Sequence, residues 1–127
     1  MNKKDLKKVL RYLKLKKTFR EYLLFKMMLE TDIKTKDLME MAAGEIIGKS
    51  VYKDDQGKEH TIPEELKEEI YEYCEFLEGD MPLFAGKSGK PIIRSQIWTM
   101  LNRSFEELGY EKALSSVKEL RDIYKGE

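Results

Sequence analysis

The segment from Phe19 to Leu29 constrains the fold most. It reads Phe-Arg-Glu-Tyr-Leu-Leu-Phe-Lys-Met-Met-Leu, and past its first turn it is apolar on nearly every side of a helix. Such a helix cannot lie on a surface, because no face of it suits water; other elements must surround it. Thr18 with Glu21 three residues later is a capping box that starts this helix, and Thr31-Asp32 ends it. The chain has 127 residues, one domain's worth, of which 41% are hydrophobic, enough to build a core around one central helix.

The flanking segments supply the cover. Leu6, Val9, Leu10 and Leu13 recur at helical spacing, so residues 4–16 form an amphipathic helix with a strongly basic outer face. Thr35 caps a third helix holding Leu38, Met39, Ala42 and Ala43, with Gly44 as its stop. The period then changes. Ile46-Ile47-Gly48, Val51-Tyr52 and Thr61-Ile62-Pro63 read as short strand segments, and Asp54-Asp55-Gln56-Gly57 has the chemistry of a hairpin turn. Pro63 with Glu64 and Glu65 opens a fourth helix, with Leu66, Ile70, Tyr73 or Cys74, and Leu77 as its apolar positions until Glu78-Gly79-Asp80. A Gly-rich loop covers residues 85–91. Ser95 then caps a helix to Leu108, and Ser116 with Glu119 opens a last one holding Val117, Leu120 and Tyr124. The order is α-α-α-β-β-α-α-α. The fold class is α+β, mostly α-helical with a small antiparallel hairpin.

Charge is segregated along the chain. The 24 Lys and Arg balance the 24 Asp and Glu, which excludes a uniformly basic nucleic-acid binder. Residues 1–20 nevertheless hold seven Lys and two Arg against one Asp, a net of +8. Residues 64–80 hold eight acids against Lys67, a net of −7. Both blocks have a bland reading as solvated helix faces. The sharper reading is that one face meets a polyanion while the molecule stays neutral. One cysteine excludes a disulfide framework, and one histidine excludes a paired-histidine zinc site, so neither metal nor cofactor is expected. No apolar run approaches a membrane span, and Met-Asn-Lys-Lys-Asp is not followed by a secretory apolar region. The expected compartment is the cytoplasm.

Single motifs carry little chemistry. Gly86-Lys87-Ser88 is a fragment of a phosphate loop without its second glycine spacing or a buried strand before it. His60 reads as an ordinary surface or edge residue of the hairpin, and Cys74 as small core filling. The carboxylates of residues 64–80 share one solvated environment, so nothing splits their pKa values into an acid and a base.

The ordered set of segments says more. Arg20-Glu21-Tyr22-Leu23-Leu24-Phe25 with Thr31-Asp32-Ile33-Lys34-Thr35, then Gly57-Lys58-Glu59-His60-Thr61-Ile62-Pro63, then Leu83-Phe84 through Lys90-Pro91-Ile92-Ile93-Arg94-Ser95-Gln96-Ile97-Trp98, and lastly Lys118-Glu119-Leu120-Arg121-Asp122-Ile123-Tyr124 stand in one order. In that order they resemble the catalytic domain of the tyrosine recombinases, the phage-integrase family. The resemblance runs from Thr18 to Tyr124, which sets off residues 1–17 as a basic N-terminal helix and 18–127 as the recombinase-like domain. It implies that family's fold and a link to DNA, as in a regulator carried by a phage or other mobile element.

The resemblance also implies what is lacking. The family's first arginine position holds Lys34, a point charge without the bidentate grip of a guanidinium. The hairpin lysine falls on or near Asp55, with Lys53 close by, and the first histidine position holds Lys118. Arg121 matches the second arginine. The nucleophilic tyrosine would lie past Glu127, and Tyr124 reads as packing. The expectation is therefore a catalytically inactive protein. It would hold the DNA phosphate backbone with Lys34, Lys36, Lys87, Lys90, Arg94, Ser95, Gln96 and Arg121, and the N-terminal lysines would add salt-dependent affinity. The alternative is a protein-interaction module. Its partner, a full-length recombinase, another protein or a second copy, would meet Phe19, Tyr22 or Phe25, left uncovered without the family's final helices, while the acidic helix meets a basic surface. A residual phosphodiesterase using Arg121 with Lys34 ranks last, because His60 is its only neutral-range acid or base.

Overall fold

Asn2 opens the first helix by a reciprocal cap: its side chain accepts from the Asp5 amide at 2.9 Å, and Asp5 accepts from the Asn2 amide at 3.0 Å. This is a computed structural model that describes residues 2–86, 88–110 and 116–126. Helix α1 (Lys3–Lys16) buries Leu6, Val9, Leu10 and Leu13, the stripe its spacing predicts. Thr18 caps α2 (Phe19–Glu30), its oxygen accepting from the Glu21 amide at 3.2 Å. Every residue from Tyr22 to Leu29 is buried. The Thr31 hydroxyl donates back to the Met27 carbonyl at 2.7 Å, which closes the last turn of α2.

Helix α2 is the axis of the fold. It packs against α1, against α4 (Glu64–Tyr73) and against α6 (Val117–Lys125). From α5 (Arg94–Glu107), Phe105 meets Phe25 edge-on with ring centroids 6.2 Å apart. Tyr22 and Phe25 are therefore buried, and Phe19 is half-buried against Tyr22 and Tyr73. This corrects the expectation of an uncovered surface for Tyr22 and Phe25, which the elements around the central helix already cover, and leaves only Phe19 partly exposed. Residues 1–17 hold no independent arm among those described. Helix α1 belongs to the same core, with Leu6, Val9 and Leu13 fully buried.

The stretch after the short α3 (Thr35–Glu40) differs from its reading. The third helix ends at Glu40, and Ala43–Glu45 is a single 3₁₀ turn. Ile46-Ile47-Gly48 is not a strand. The reason is where its neighbouring backbone groups go: Ala43 N–H donates to Met81 at 2.8 Å, Gly44 N–H to Gly79 at 2.9 Å, and Leu83 N–H returns to Met41 at 3.0 Å. Residues 41–44 are thus stitched to residues 79–83. Gly44 serves that close approach rather than a helix stop, because a Cβ there would lie 2.9 Å from the Gly79 carbonyl oxygen.

The hairpin forms as its turn chemistry dictates. Strands β1 (Val51–Lys53) and β2 (Glu59–Thr61) pair antiparallel, with Tyr52 opposite His60 and Lys53 opposite Glu59. The Asp54 carboxylate accepts from the Gln56 and Lys58 amides at 3.0 and 2.9 Å, and Gly57 takes a φ of +83°. Alternation sends Tyr52 and His60 inward. Beyond α4 the chain tightens into a 3₁₀ turn at Cys74–Phe76, with Cys74 buried as core filling. Helix α5 begins at Arg94, two residues earlier than a Ser95 cap requires. The cap is instead made by Gln96, whose Oε1 accepts from the Ile93 amide at 3.0 Å. Ser116 caps α6 as its sequence predicts. The result is mostly helical with one two-stranded antiparallel sheet. Among the described residues, no helix is long and apolar enough to cross a membrane.

Candidate nucleic-acid interface

The turn between α2 and α3, residues 31–35, is held from two sides. From α6, the Arg121 Nε donates to the Met28 carbonyl at 2.6 Å, and one of its Nη atoms donates to the Ile33 carbonyl. From the hairpin, His60 reaches Asp32 through Nδ1 at 2.6 Å. Its other nitrogen, Nε2, meets the Asp54 carboxylate at 2.9 Å. Lys58 adds a looser pair to Asp32 at 3.7 Å.

This arrangement favours the protonated form of the histidine. Burial opposes the imidazolium, since His60 is only 2% exposed, but the hydrogen bonds to Asp54 and Asp32 outweigh it and raise the pKa. The same hydrogen bonds hold both carboxyls below the usual aspartate range. His60 is therefore not the surface or edge residue its position in the sequence suggests. It is a buried imidazole held between two carboxylates, which raise its pKa.

Arg121 was expected to meet phosphate. It is half-buried, burial lowers its pKa, and two of its donors serve backbone carbonyls. Its immediate effect is to hold the turn that displays Lys34. Lys34 and Lys36 are exposed on that turn and the start of α3. Lys118 is exposed one turn before Arg121. On the hairpin, Lys53 and Asp55 are exposed on either side of the buried Asp54.

A second group of expected residues gathers at the start of α5. The loop before it closes on itself: Gly86 N–H donates to Lys90 at 2.8 Å, Ile92 N–H donates to Phe84 at 3.0 Å, and Gly89 takes a φ of +79°. Arg20 of α2 donates to the Ala85 carbonyl and pins the loop's base. Between loop and helix lies a cleft of about 520 Å³ lined by Arg20, Glu21, Ser88, Lys90, Ile93 and Gln96 among others. Lys90 and Gln96 of its lining are exposed, as are Arg94 and Ser95 in the first turn of α5. Lys87 lies outside the described residues. The packing of α3 on α5 joins this group to the Lys34 turn.

The sequence reading missed one polar cluster. Lys26 sits in the apolar run of α2 and is 6% exposed. Its ammonium bonds to Glu69, to Glu65 at 3.2 Å and to the Tyr22 hydroxyl at 3.2 Å. Burial works against that charge, but the bonds to Glu69 and Tyr22 hold its pKa above the ordinary lysine value. Burial and the Glu69 bond push Tyr22 to about 12. The signal was present: a lone lysine inside a buried run demands an acid. Part of the acidic block therefore answers Lys26 instead of facing water.

No protein-family model and no curated protein matches the sequence. Among solved structures, XerA recombinase superposes with a TM-score of 0.80 over 98% of this chain at 14% identity. The chain spans 48% of that protein's length. The likeness shows the fold: it is that of a portion of a tyrosine recombinase, with the turn, the hairpin, the Gly-rich loop and the last helix in their expected order.

Proposed function

We propose that the protein is a non-catalytic, integrase-like DNA-binding protein of the cytoplasm that holds the phosphate backbone. The observation that carries this reading is the placement of Lys34, Lys36, Lys90 and Arg94. All four are exposed, and they stand on two braced supports that α3 and α5 bring together within a recombinase fold. Such cations fix a protein on a duplex without reading its sequence. The N-terminal helix adds Lys4, Lys7, Lys8 and Arg11, exposed on its outer face.

The local chemistry supports an inactive site. Lys34 offers a point charge where a phosphate in flight would need a planar fork. Arg121 is engaged by two carbonyls, and His60 is enclosed by two carboxylates, so neither is free for proton transfer or phosphate clamping. The alternative surface at Phe19, Tyr22 and Phe25 loses its support, since two of the three rings are buried.

The test is a salt titration of binding to random duplex DNA by fluorescence anisotropy. Log K should fall linearly with log salt. Lys90→Ala with Arg94→Ala should weaken binding alike across sequences and lower the salt slope by about 2. No binding at low salt, or no response to the double substitution, would refute the reading. Incubation with labelled duplex should leave the strands uncut, and a covalent protein–DNA adduct would contradict inactivity.

A further inference from the structure

Two stripes of opposite charge lie on the exposed faces of α1 and α4. Helices α1 and α4 both pack on α2, and they flank a groove lined by Lys7, Arg11, Lys14, Tyr22, Lys26 and Glu65. On α1, Lys4, Lys8, Arg11 and Leu15 follow one another at helical spacing on the outer face, and all four are exposed. On α4 and the turn after it, Glu64, Glu68, Glu72 and Glu75 form the matching exposed line. Each stripe covers the same number of residues, a length of about 16 Å along a helix. The single cation of α4, Lys67, is turned aside to the Ser50 hydroxyl at 3.2 Å.

Each stripe also carries apolar side chains that the fold leaves in water. Leu15 is 66% exposed at the end of the basic line. Tyr71 and Phe76, which flank the acidic line, are 64% and 90% exposed. A phenylalanine so nearly bare is unusual in a chain that buries 28 hydrophobic residues in one core. Aromatic side chains amid charge of one sign are the make-up of a protein interface, where the rings supply area and the charges choose the partner.

We propose that two copies of this chain pair through these faces, the basic stripe of α1 in one copy lying along the acidic stripe of α4 in the other. The complement each stripe needs is present on the same chain, equal in length and opposite in sign. In a two-fold arrangement α1 of each copy lies on α4 of the other, so both stripes are satisfied at once and the dimer closes instead of growing into an open fibre. Pairing covers the lysines of α1, so it competes with any duplex that those lysines attract.

The experiment is sedimentation equilibrium on protein freed of nucleic acid, so its outcome is independent of DNA binding. The wild type should dimerise at about 50 mM salt and dissociate toward about 1 M, where charge is screened within a few ångströms. Lys8→Glu with Arg11→Glu should be monomeric, and so should Glu68→Lys with Glu72→Lys. An equimolar mixture of the two should recover the dimer, because each reversed stripe then faces an opposite one. That recovery also shows that both variants are folded. A wild type that stays monomeric at low salt, a reversed variant that pairs as well as the wild type, or a mixture that does not associate each overturns the proposal. Anisotropy with duplex on the Glu68→Lys, Glu72→Lys protein reads the other interface separately, since that variant keeps every cation assigned to DNA.

Discussion

Raising the pH through the titration of His60 should loosen the protein by a calculable amount. The unperturbed imidazole titrates at 6.5, and the folded state raises that value, because Asp54 and Asp32 hold the imidazolium against the cost of burial. Between the two values the folded chain binds a proton that the unfolded chain has released. Stability then falls as pH rises, with a limiting slope of about 1.4 kcal/mol per pH unit for one proton. The contribution is whole below pH 6.5 and lost as pH rises through the folded pKa. The two aspartates act in the opposite sense. Their pKa values are lowered from 3.8, so their share is present above that value and lost as pH falls below it. Stability should therefore be highest between these windows. The geometry also says which contact fails first. The Asp54 side chain is 5% exposed and cannot leave the ring, whereas that of Asp32 is 50% exposed and can turn to water. Urea unfolding across pH 5–9 gives the slope, and the ring protons of the only histidine give its pKa by NMR. His60→Gln should flatten the alkaline limb. If wild type and variant show parallel curves, or if the ring titrates below 6.5, the clamp does not carry the charge assigned to it.

Other perturbations follow from the same contacts. Glu69→Ala takes the closest anion from a buried ammonium and should cost about 3–5 kcal/mol in chemical denaturation, while Lys26→Met, which removes the charge itself, should cost much less. Arg121→Met removes donors from the Met28 and Ile33 carbonyls; a loss of about 1–3 kcal/mol, with faster amide exchange across residues 31–35, is expected. Phe105→Ala should open a cavity beside Phe25 and cost about 3–5 kcal/mol, read as a lower Tm.

Periodicity made the frame of this fold legible, and long-range contacts decided the rest. The central helix declared itself because Tyr22–Leu29 leaves no polar side, and Leu6, Val9, Leu10 and Leu13 mark their stripe without ambiguity. Caps at Thr18 and Ser116 were equally plain, being local chemistry between residues three apart. Ile46-Ile47-Gly48 misled because its apolar content is that of a strand, while its environment is fixed by residues 79–83, distant in sequence. His60 was misjudged for the same reason. Its burial depends on Asp32, 28 residues away, and no local pattern shows that a carboxylate waits there.

The candidate site shows why matched positions do not suffice to assign a role. Arg121 falls where the family resemblance implies a phosphate ligand, and the fold puts it next to the Lys34 turn as that resemblance requires. Yet its donors point at the carbonyls of Met28 and Ile33. Lys34 stands where the resemblance implies the first arginine. Its turn is braced by Arg121 below and by the Asp32–His60–Asp54 clamp beside it. Both contacts hold the 31–35 turn in place. What that turn and the start of α3 present to the solvent is two exposed lysines, Lys34 and Lys36, the point charges on which the proposed hold on a phosphate backbone rests.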